Sequence, residues 1–542
     1  MTGELSTRQK ALATLGVMLT LLLVALDQTV VGTAMPRIIA ELNGLSVYAW
    51  VTTAYLVAST VVVPVAGKLG DMFGRKPFIL VGMIGFMAGS WLCGFSQNMT
   101  ELILFRSLQG AFGGMLFANT FTVLADIFDA QQRVRMQGIF GAVFGLSSVI
   151  GPTFGGYITD NWGWRWVFYV NIPVGVLAVA VTLAALPYVR SKVSWREIDF
   201  VGAAMLAAGV IPLLIGLSIT HDHSWTSPEV LALLAGAAAM LAGFFVVETR
   251  WAQNPVVPFE LFKTNQFAIS VTVAFFTAVG MFGAIIFIPL LYQGVLGVSA
   301  TNSGNLLIPM MGGLVVFSTL SGQLLSRIRY YRVLGTVGIG AMIVAMWLLT
   351  GVTAGTSQWT VAAYSVILGA GLGLTFPLTL AVVQVALPQR VVGVATSQVQ
   401  FWRNLGGTVG TAVLGSILSR QLTPDIQARI AALNLPARFS LPSSSGSSPQ
   451  AALDPKHLAQ TRASYPAQAQ PLYDNVVHAM RLGLADAIHD VFLIGAAILV
   501  VALVATLFLR EVPIKRGRQA VAPELEALEA DDGVSDRLRA AG

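Results

Sequence analysis

Gly67-Lys-Leu-Gly-Asp71-Met-Phe-Gly74-Arg75-Lys76-Pro77 decides how this chain folds, because it sets three cations and a carboxylate between two long apolar runs. The stretch is too short to be a folded unit. It reads as a charged hairpin at a membrane surface, with glycines suited to a tight reversal and Asp71 placed to cap a helix start or pair with a cation. The pattern returns once, at Gly322-Gln-Leu-Leu-Ser326-Arg327-Ile-Arg329-Tyr-Tyr-Arg332, with Ser326 where Asp71 stood. Two related halves are expected, a plan on which many transporters are built.

Composition agrees with a bilayer setting. Of 542 residues, 55% are hydrophobic and 11% charged, about half the charged share of a soluble domain. The net charge of +6 comes from cations in short turns rather than from a continuous basic face, which argues for membrane orientation and against nucleic acid. Cys93 is the single cysteine, which excludes a disulfide framework and a cysteine-based metal site. His221 and His223 lie close together, but two ligands are too few for a metal. Neither a metal nor a cofactor is expected.

Six spans are read in the first half, near 11–31, 48–66, 78–96, 102–125, 136–158 and 166–187, each near the length of about 20 residues that a crossing helix needs. Two more follow near 199–219 and 229–247. Six others lie near 266–292, 303–325, 333–353, 360–385, 393–419 and 488–509. The expected fold is therefore an all-α membrane protein of fourteen transmembrane helices, in which two pseudo-symmetric six-helix bundles (1–190 and 265–510) flank two linker helices (191–264). Lys68, Arg75 and Lys76, then Arg133 and Arg135, Arg190, Lys192 and Arg196, Arg250 and Lys263, Arg327, Arg329 and Arg332, and Arg390 fall in alternate turns. The intervening short turns hold little beyond Arg37 and Arg165, so both termini are expected on the cytoplasmic side of the cell membrane. The segment 420–487 then becomes an extracytoplasmic loop, and 511–542 a solvated cytoplasmic tail. Within the loop, Ser440 to Gln450 reads as a flexible linker. Val476, Val477, Met480 and Leu484 predict an amphipathic helix over 472–487 that either packs on the outer ends of the bundle or docks a partner.

Asp27 interrupts the first span. A carboxylate in hydrocarbon costs at least about 2.5 kcal/mol, so it is functional by default, through proton or cation coupling, with a hydrogen-bonded structural role as the alternative. Arg106, in the fourth span and followed by Gln109 and Gly110, needs an acidic or carbonyl partner. Asp27 is the obvious one. Such a pair is either a protonation switch or a structural ion pair. In the fifth span, Gly141, Gly145, Ser148, Pro152 and Gly155 step by fours and threes along one narrow face of small residues, which permits close packing or a sliding seam. Arg403 is a second intramembrane cation, either a relay or anion contact or a snorkelling structural residue.

Together these stretches resemble the major facilitator superfamily, and within it the fourteen-span drug:proton antiporter family of EmrB/QacA type. The first span, Leu26-Asp27-Gln-Thr29-Val30-Val31-Gly32-Thr-Ala34-Met-Pro36, is similar to that family's motif but carries Gly32 where the family usually has Asn. The hairpin matches at Gly67, Leu69, Asp71, Gly74, Arg75 and Lys76, and the fourth span at Arg106, Gln109 and Gly110. The fifth span resembles the antiporter motif through Gly151-Pro152 and Gly155-Gly156. Similar context continues in Trp162-Gly-Trp164-Arg165-Trp166, Asn171-Ile-Pro173, Tyr292-Gln293 and Arg403-Asn-Leu-Gly406-Gly407. The resemblance implies alternating access around a central cavity, with Asp27 carrying the proton, Arg106 tuning it, and the Asp71 hairpin holding the cytoplasmic gate.

The expected function is proton-coupled efflux of amphiphilic or lipophilic compounds. An exporter of an endogenous lipid or metabolite is the alternative within the same fold. A multi-span enzyme ranks lower, because no His, Asp or Glu cluster has acid/base or ligand spacing. Tyr55, Gln109, Asn119, Gln293, Asn305, Phe376, Gln384 and Arg403 are the candidate cavity residues, and they suit neutral or singly charged amphiphiles held mainly by apolar contact. Small substrates, protons and the bilayer are thus the expected partners, and a periplasmic adaptor is left open.

Overall fold

The computed structural model describes residues 6–42, 47–186, 197–221, 223–298, 307–327, 330–388, 391–431, 433, 461–463, 465–466 and 470–511. Among the described residues, fifteen α-helices can be numbered in order. The first seven are α1 (Thr7–Leu42), α2 (Ala49–Phe73), α3 (Arg75–Phe95), α4 (Met99–Ile127), α5 (Ala130–Trp162), α6 (Arg165–Tyr169) and α7 (Asn171–Ala185). Two helices, α8 (Phe200–Ser218) and α9 (Pro228–Arg250), pair with each other between the halves. The rest are α10 (Asn265–Leu290), α11 (Ile308–Arg327), α12 (Tyr331–Thr350), α13 (Gln358–Ala386), α14 (Val392–Ala431) and α15 (Gln470–Leu507). Short α6 and α7 together make one crossing, so the first bundle and the second each hold six spans.

Among the described residues, thirteen helical segments are long and apolar enough to cross a membrane. The remaining expected span, α14, is long enough but more polar, because Gln398, Gln400 and Arg403 lie buried along it. It is kept in place by packing against α10, α2 and α15 rather than by its own hydropathy.

Helix starts carry their caps. Asn98 accepts from the Glu101 N–H at 2.9 Å while the Glu101 carboxylate accepts from the Gln97 N–H at 2.8 Å, a reciprocal box that opens α4. Asp129 accepts from Gln132 N–H at 2.8 Å to open α5, and Asp199 from Gly202 N–H at 2.7 Å to open α8. Inside the spans, hydroxyls turn back onto their own helix, as with Thr20 on the Gly16 carbonyl at 2.8 Å and Thr277 on the Val273 carbonyl at 2.6 Å. Each such bond satisfies a group that hydrocarbon would leave bare.

The 67–77 stretch is less of a loop than the sequence suggested. Gly67 to Phe73 is the last part of α2 and Arg75 the first residue of α3, so the reversal rests on Gly74 alone, at φ 86°. That angle is open to glycine and strained for other residues. Pro77 fits because a helix's first turn has no partner for its N–H anyway. A similar extension joins the expected amphipathic helix over 472–487 to the last span as one helix, α15. The Ser440–Gln450 linker lies outside the described residues, as do Arg190, Lys192, Arg329 and Arg390.

The two bundles meet along two seams, α2 against α14 and α5 against α11, with α13 touching α5 and α8 lying against α2 and α14. Glycines make the approach. Gly138 and Gly322 face each other across α5 and α11, where a Cβ on Gly138 would stand 2.9 Å from the Gly322 Cα. Ser318 adds a hydrogen bond to the Gly138 carbonyl at 3.0 Å.

Candidate functional site

Asp27 lies in α1 and is 1% exposed, while Arg106 in α4 is 2% exposed. Their charges meet: Arg106 Nη1 donates to Asp27 Oδ2 at 2.7 Å and to Gln109 Oε1 at 2.7 Å. On the other carboxylate oxygen, Gln109 Nε2 and Asn171 Nδ2 donate to Oδ1 at 2.9 Å and 2.8 Å. Asn171 also donates to Ser90 Oγ at 3.0 Å, and Ser90 in turn to the Phe168 carbonyl at 2.8 Å. The carboxylate therefore holds one guanidinium and two amide donors from two further helices, which is what a buried charge needs to persist in a bilayer.

The guanidinium is covered from α2, with its carbon 4.3 Å from the centre of the Tyr55 ring. Such a cation–ring contact is worth about 2 kcal/mol when desolvated. Gly110 sets the fit, since a Cβ there would overlap the Tyr55 carbonyl oxygen and stand 2.7 Å from its Cα. Gly89 does the same for α3, where a Cβ would sit 2.9 Å from the Gln109 Cα. The sequence pointed to Asp27, Arg106, Gln109 and Tyr55 but did not join Asn171 or Ser90 to them. Each was a lone polar residue in an apolar run, and that was the available signal.

A second polar cluster joins the bundles at the hairpin end. Asp71 Oδ1 meets Arg75 Nη2 at 2.7 Å, and Arg75 Nε meets Asp126 Oδ2 at 2.5 Å. The other Asp71 oxygen, Oδ2, accepts from the Val394 N–H at 2.6 Å, in the first turn of α14 and so in the opposite bundle. Asp71 thus pairs with a cation, but it does not cap the helix that follows the hairpin; its other oxygen bonds a helix start in the opposite bundle. Gly67 lies against Ser397, where any Cβ would overlap the serine side chain. Lys76 donates to the Leu183 and Leu186 carbonyls at 2.8 Å and 2.7 Å, at the end of α7.

Asn119 and Gln384 belong with this seal rather than with Asp27. Asn119 Nδ2 bonds the Met115 carbonyl at 2.9 Å and the Ala66 carbonyl at 3.3 Å, beside Gly70. Gln384 Nε2 bonds the Phe121 carbonyl at 3.1 Å, across the halves, and Thr396 Oγ1 at 3.2 Å. Arg133 Nη1 adds a bond to the Gln384 carbonyl at 3.3 Å.

Between the two clusters lies an aromatic layer. Phe376 of α13 has Phe144 stacked at 6.1 Å and Phe121 at 6.3 Å, both from the first bundle. Arg403 of α14, 5% exposed, places its guanidinium carbon 4.0 Å from the centre of the Phe376 ring. Gln293 is half-buried in the wide turn Leu291–Val295 that ends α10, and Asn305 lies outside the described residues.

The small-residue face of α5 divides between two partners. Gly141 lies against Ser318 and Gly145 against Leu314 and Val315, all on α11, while Gly151 lies against Thr29 and Gly155 against Thr33 and Val30, on α1. Gly156 has open space where a Cβ would go. Pro152 sits inside α5 within the second of these contacts, between Gly151 and Gly155, and the bend a proline allows falls in the turn before it, towards the first.

Comparison with known proteins agrees with this architecture. Residues 17–411 match the Major Facilitator Superfamily. The chain is 37% identical over 543 residues to the multidrug transporter protein MdtP of Bacillus subtilis (strain 168), covering 98% of this chain and 99% of that one. It is 35% identical over 506 residues to multidrug resistance protein 3 of the same organism, covering 92% and 95%. Among solved structures, the proton:xylose symporter XylE matches with a TM-score of 0.55 and 13% identity over 79% of this chain and 91% of that one, a likeness of fold alone. The chain is a multi-pass membrane transporter, not an enzyme, and it belongs to the major facilitator superfamily.

Proposed function

We propose that the chain is a proton-coupled exporter of amphiphilic compounds that works by alternating access. The multidrug names of its Bacillus relatives support drug efflux. The observation that carries proton coupling is the Asp27 carboxylate, buried in the bundle with Arg106 at 2.7 Å. Protonation removes its charge and frees the guanidinium, so one site passes between two charge states that favour different packings. In this reading the cations around Gly67, Asp71, Gly74, Arg75 and Lys76 put the hairpin end in the cytoplasm, and that end is closed by the Asp71–Val394 bond. Gly141, Gly145, Gly151, Pro152, Gly155 and Gly156 then give α5 a seam along which it rocks.

The energetics favour such exchange. One proton per monovalent cation moves no net charge, so a pH difference of one unit supplies about 1.4 kcal/mol. Exchange of a proton for a neutral solute also draws on membrane potential, about 2.3 kcal/mol per 100 mV. The test is substrate-induced proton release from purified protein, wild type against Asp27→Asn, across cationic, neutral and anionic amphiphiles. Release by wild type and none by the folded variant is expected. Equal release by both would remove Asp27 from the mechanism.

A further inference from the structure

The two intramembrane arginines differ in one respect. Arg106 is neutralised by Asp27 at 2.7 Å. Arg403, also buried, has no carboxylate within ion-pair distance among the described residues. Its partners are all neutral: Nη1 donates to Gln400 Oε1, while Nη2 donates to Thr379 Oγ1 at 2.7 Å and to the Phe376 carbonyl at 3.3 Å. A buried charge held only by dipoles is costly, and proteins keep such a group where something else supplies the opposite charge.

The unused groups around Arg403 all have the same character. Three of its five N–H groups are occupied by those bonds, so two remain free for a further acceptor. Gln400 is fully buried and its Nε2 amide has no partner. Its Oε1 is already taken by Arg403, which leaves donors only. The Phe376 ring under the guanidinium also stacks on Phe144 of the other bundle, so this layer lies where the halves separate. Aromatic and glycine surfaces next to it suit an apolar body.

We propose that Arg403 and Gln400 form a subsite for the anionic head of an amphiphile, a carboxylate or phosphate monoanion on an apolar body, with Phe376 beneath it. This rests on the export reading and names the substrate class of the same central region. Arg403 and Asp27 then divide the work: the first receives the anion and the second the proton, from opposite bundles. The two ligands need not compete for one charge, and their exchange is coupled through the packing of the halves.

The test is equilibrium binding of a chain-matched series, radiolabelled dodecanoate, dodecanol and dodecyltrimethylammonium, to the purified full chain in uncharged detergent. Wild type is expected to bind dodecanoate at least tenfold more tightly than dodecanol. Arg403→Gln is expected to lose that preference, and Arg403→Lys to keep part of it. The wild-type comparison needs no variant to fold. Dodecanoate and dodecanol bound within twofold of each other by wild type, or a preference unchanged in folded Arg403→Gln, would overturn the proposal. Phosphatidylglycerol added as competitor separates the sources: displacement of dodecanoate identifies a lipid headgroup and its absence a free amphiphile, both through the anion subsite. No anion preference in wild type, with Asp27-dependent proton release intact, would sink the subsite alone. Anion preference without any proton release would sink only the coupling.

Discussion

Asp71→Ala tests whether the hairpin end is a gate. The substitution removes the acceptor of the Val394 N–H, held at 2.6 Å, and with it the carboxylate that α2 presents to the first turn of α14, a turn with no acidic residue of its own. A hydrogen bond to a charged group contributes about 1.5–3 kcal/mol, and an anion at a helix N-terminus a further 0.3–1 kcal/mol or so. Arg75 is not orphaned, because Asp126 stays on its Nε at 2.5 Å. The loss therefore falls on the bond between bundles, at about 2–4 kcal/mol. Because that bond exists only while the hairpin end is closed, the ratio of closed to open molecules should fall by roughly 30-fold to 1000-fold. Spin labels at Gln132→Cys and Val333→Cys read this directly, since both positions are exposed and lie at the hairpin end on opposite bundles. Native Cys93 is buried and stays unlabelled. The distance distribution should shift to longer values in Asp71→Ala, with Asp71→Asn between it and wild type because the amide keeps an acceptor without the charge. A distribution identical to wild type in a folded Asp71→Ala protein would refute the gate.

Other substitutions separate packing from chemistry. Gly110→Ala should destabilise the protein by about 1–3 kcal/mol, since its Cβ would overlap the Tyr55 backbone. Gly156→Ala, which meets nothing within 4 Å, should be neutral or raise the melting temperature slightly. Asn171→Ala should lower stability by about 1–3 kcal/mol by stripping a donor from a buried carboxylate. In an Asp27→Asn background most of that cost should vanish, and equal costs in both backgrounds would show that Asn171 does not act through Asp27. At the opposite end, the Trp164 N–H at 2.8 Å holds the Glu41 carboxyl below its usual pKa, and Arg165 adds to this. Its stabilising contribution is present above about pH 4.3 and lost as pH falls through the lowered value. Glu41→Gln should thus melt slightly below wild type at pH 7 and match it under strong acid, and a difference that persists there would rule out this linkage.

Periodicity and charge placement made the helices legible because a bilayer leaves few alternatives: a run of about 20 apolar residues bounded by charge has to span it. What the sequence hid depends on where helices lie relative to one another. Gln384 and Asn119 looked like cavity residues because both are polar and intramembrane, yet Gln384 bonds a carbonyl of the opposite bundle and Asn119 bonds carbonyls of α2 and of its own helix. Nothing in their local pattern separates those two fates. Asn171 was visible only as a polar residue ahead of Ile172 and Pro173, and its bond to Asp27 spans 144 positions in the chain. The α5 face was legible as a stripe of small residues. Its division between α11 and α1 was not, because a stripe records closeness without naming the neighbour.

One element joins the charge site to the seal. Helix α2 carries Tyr55 over the Arg106 guanidinium, and its last turns carry Asp71 bonded to α14. Sixteen residues separate them, about 24 Å along a helix. Gly110, Gly113 and Gly114 of α4 lie directly against Tyr55 and Ser59, so α2 and α4 are in backbone contact near the charge site and have little room to slide independently. If protonation of Asp27 releases Arg106, the face that Tyr55 rests on changes its charge balance, and α2 responds along its length or bends at Pro64. A stiff α2 would carry that response to Asp71, and a bend would absorb it before the seal. The close contacts between α2 and α4 extend past Tyr55 to Gly70 of α2, which lies against Asn119 of α4, beyond Pro64, so the helix is braced on both sides of its one weak point. That bracing favours transmission over absorption.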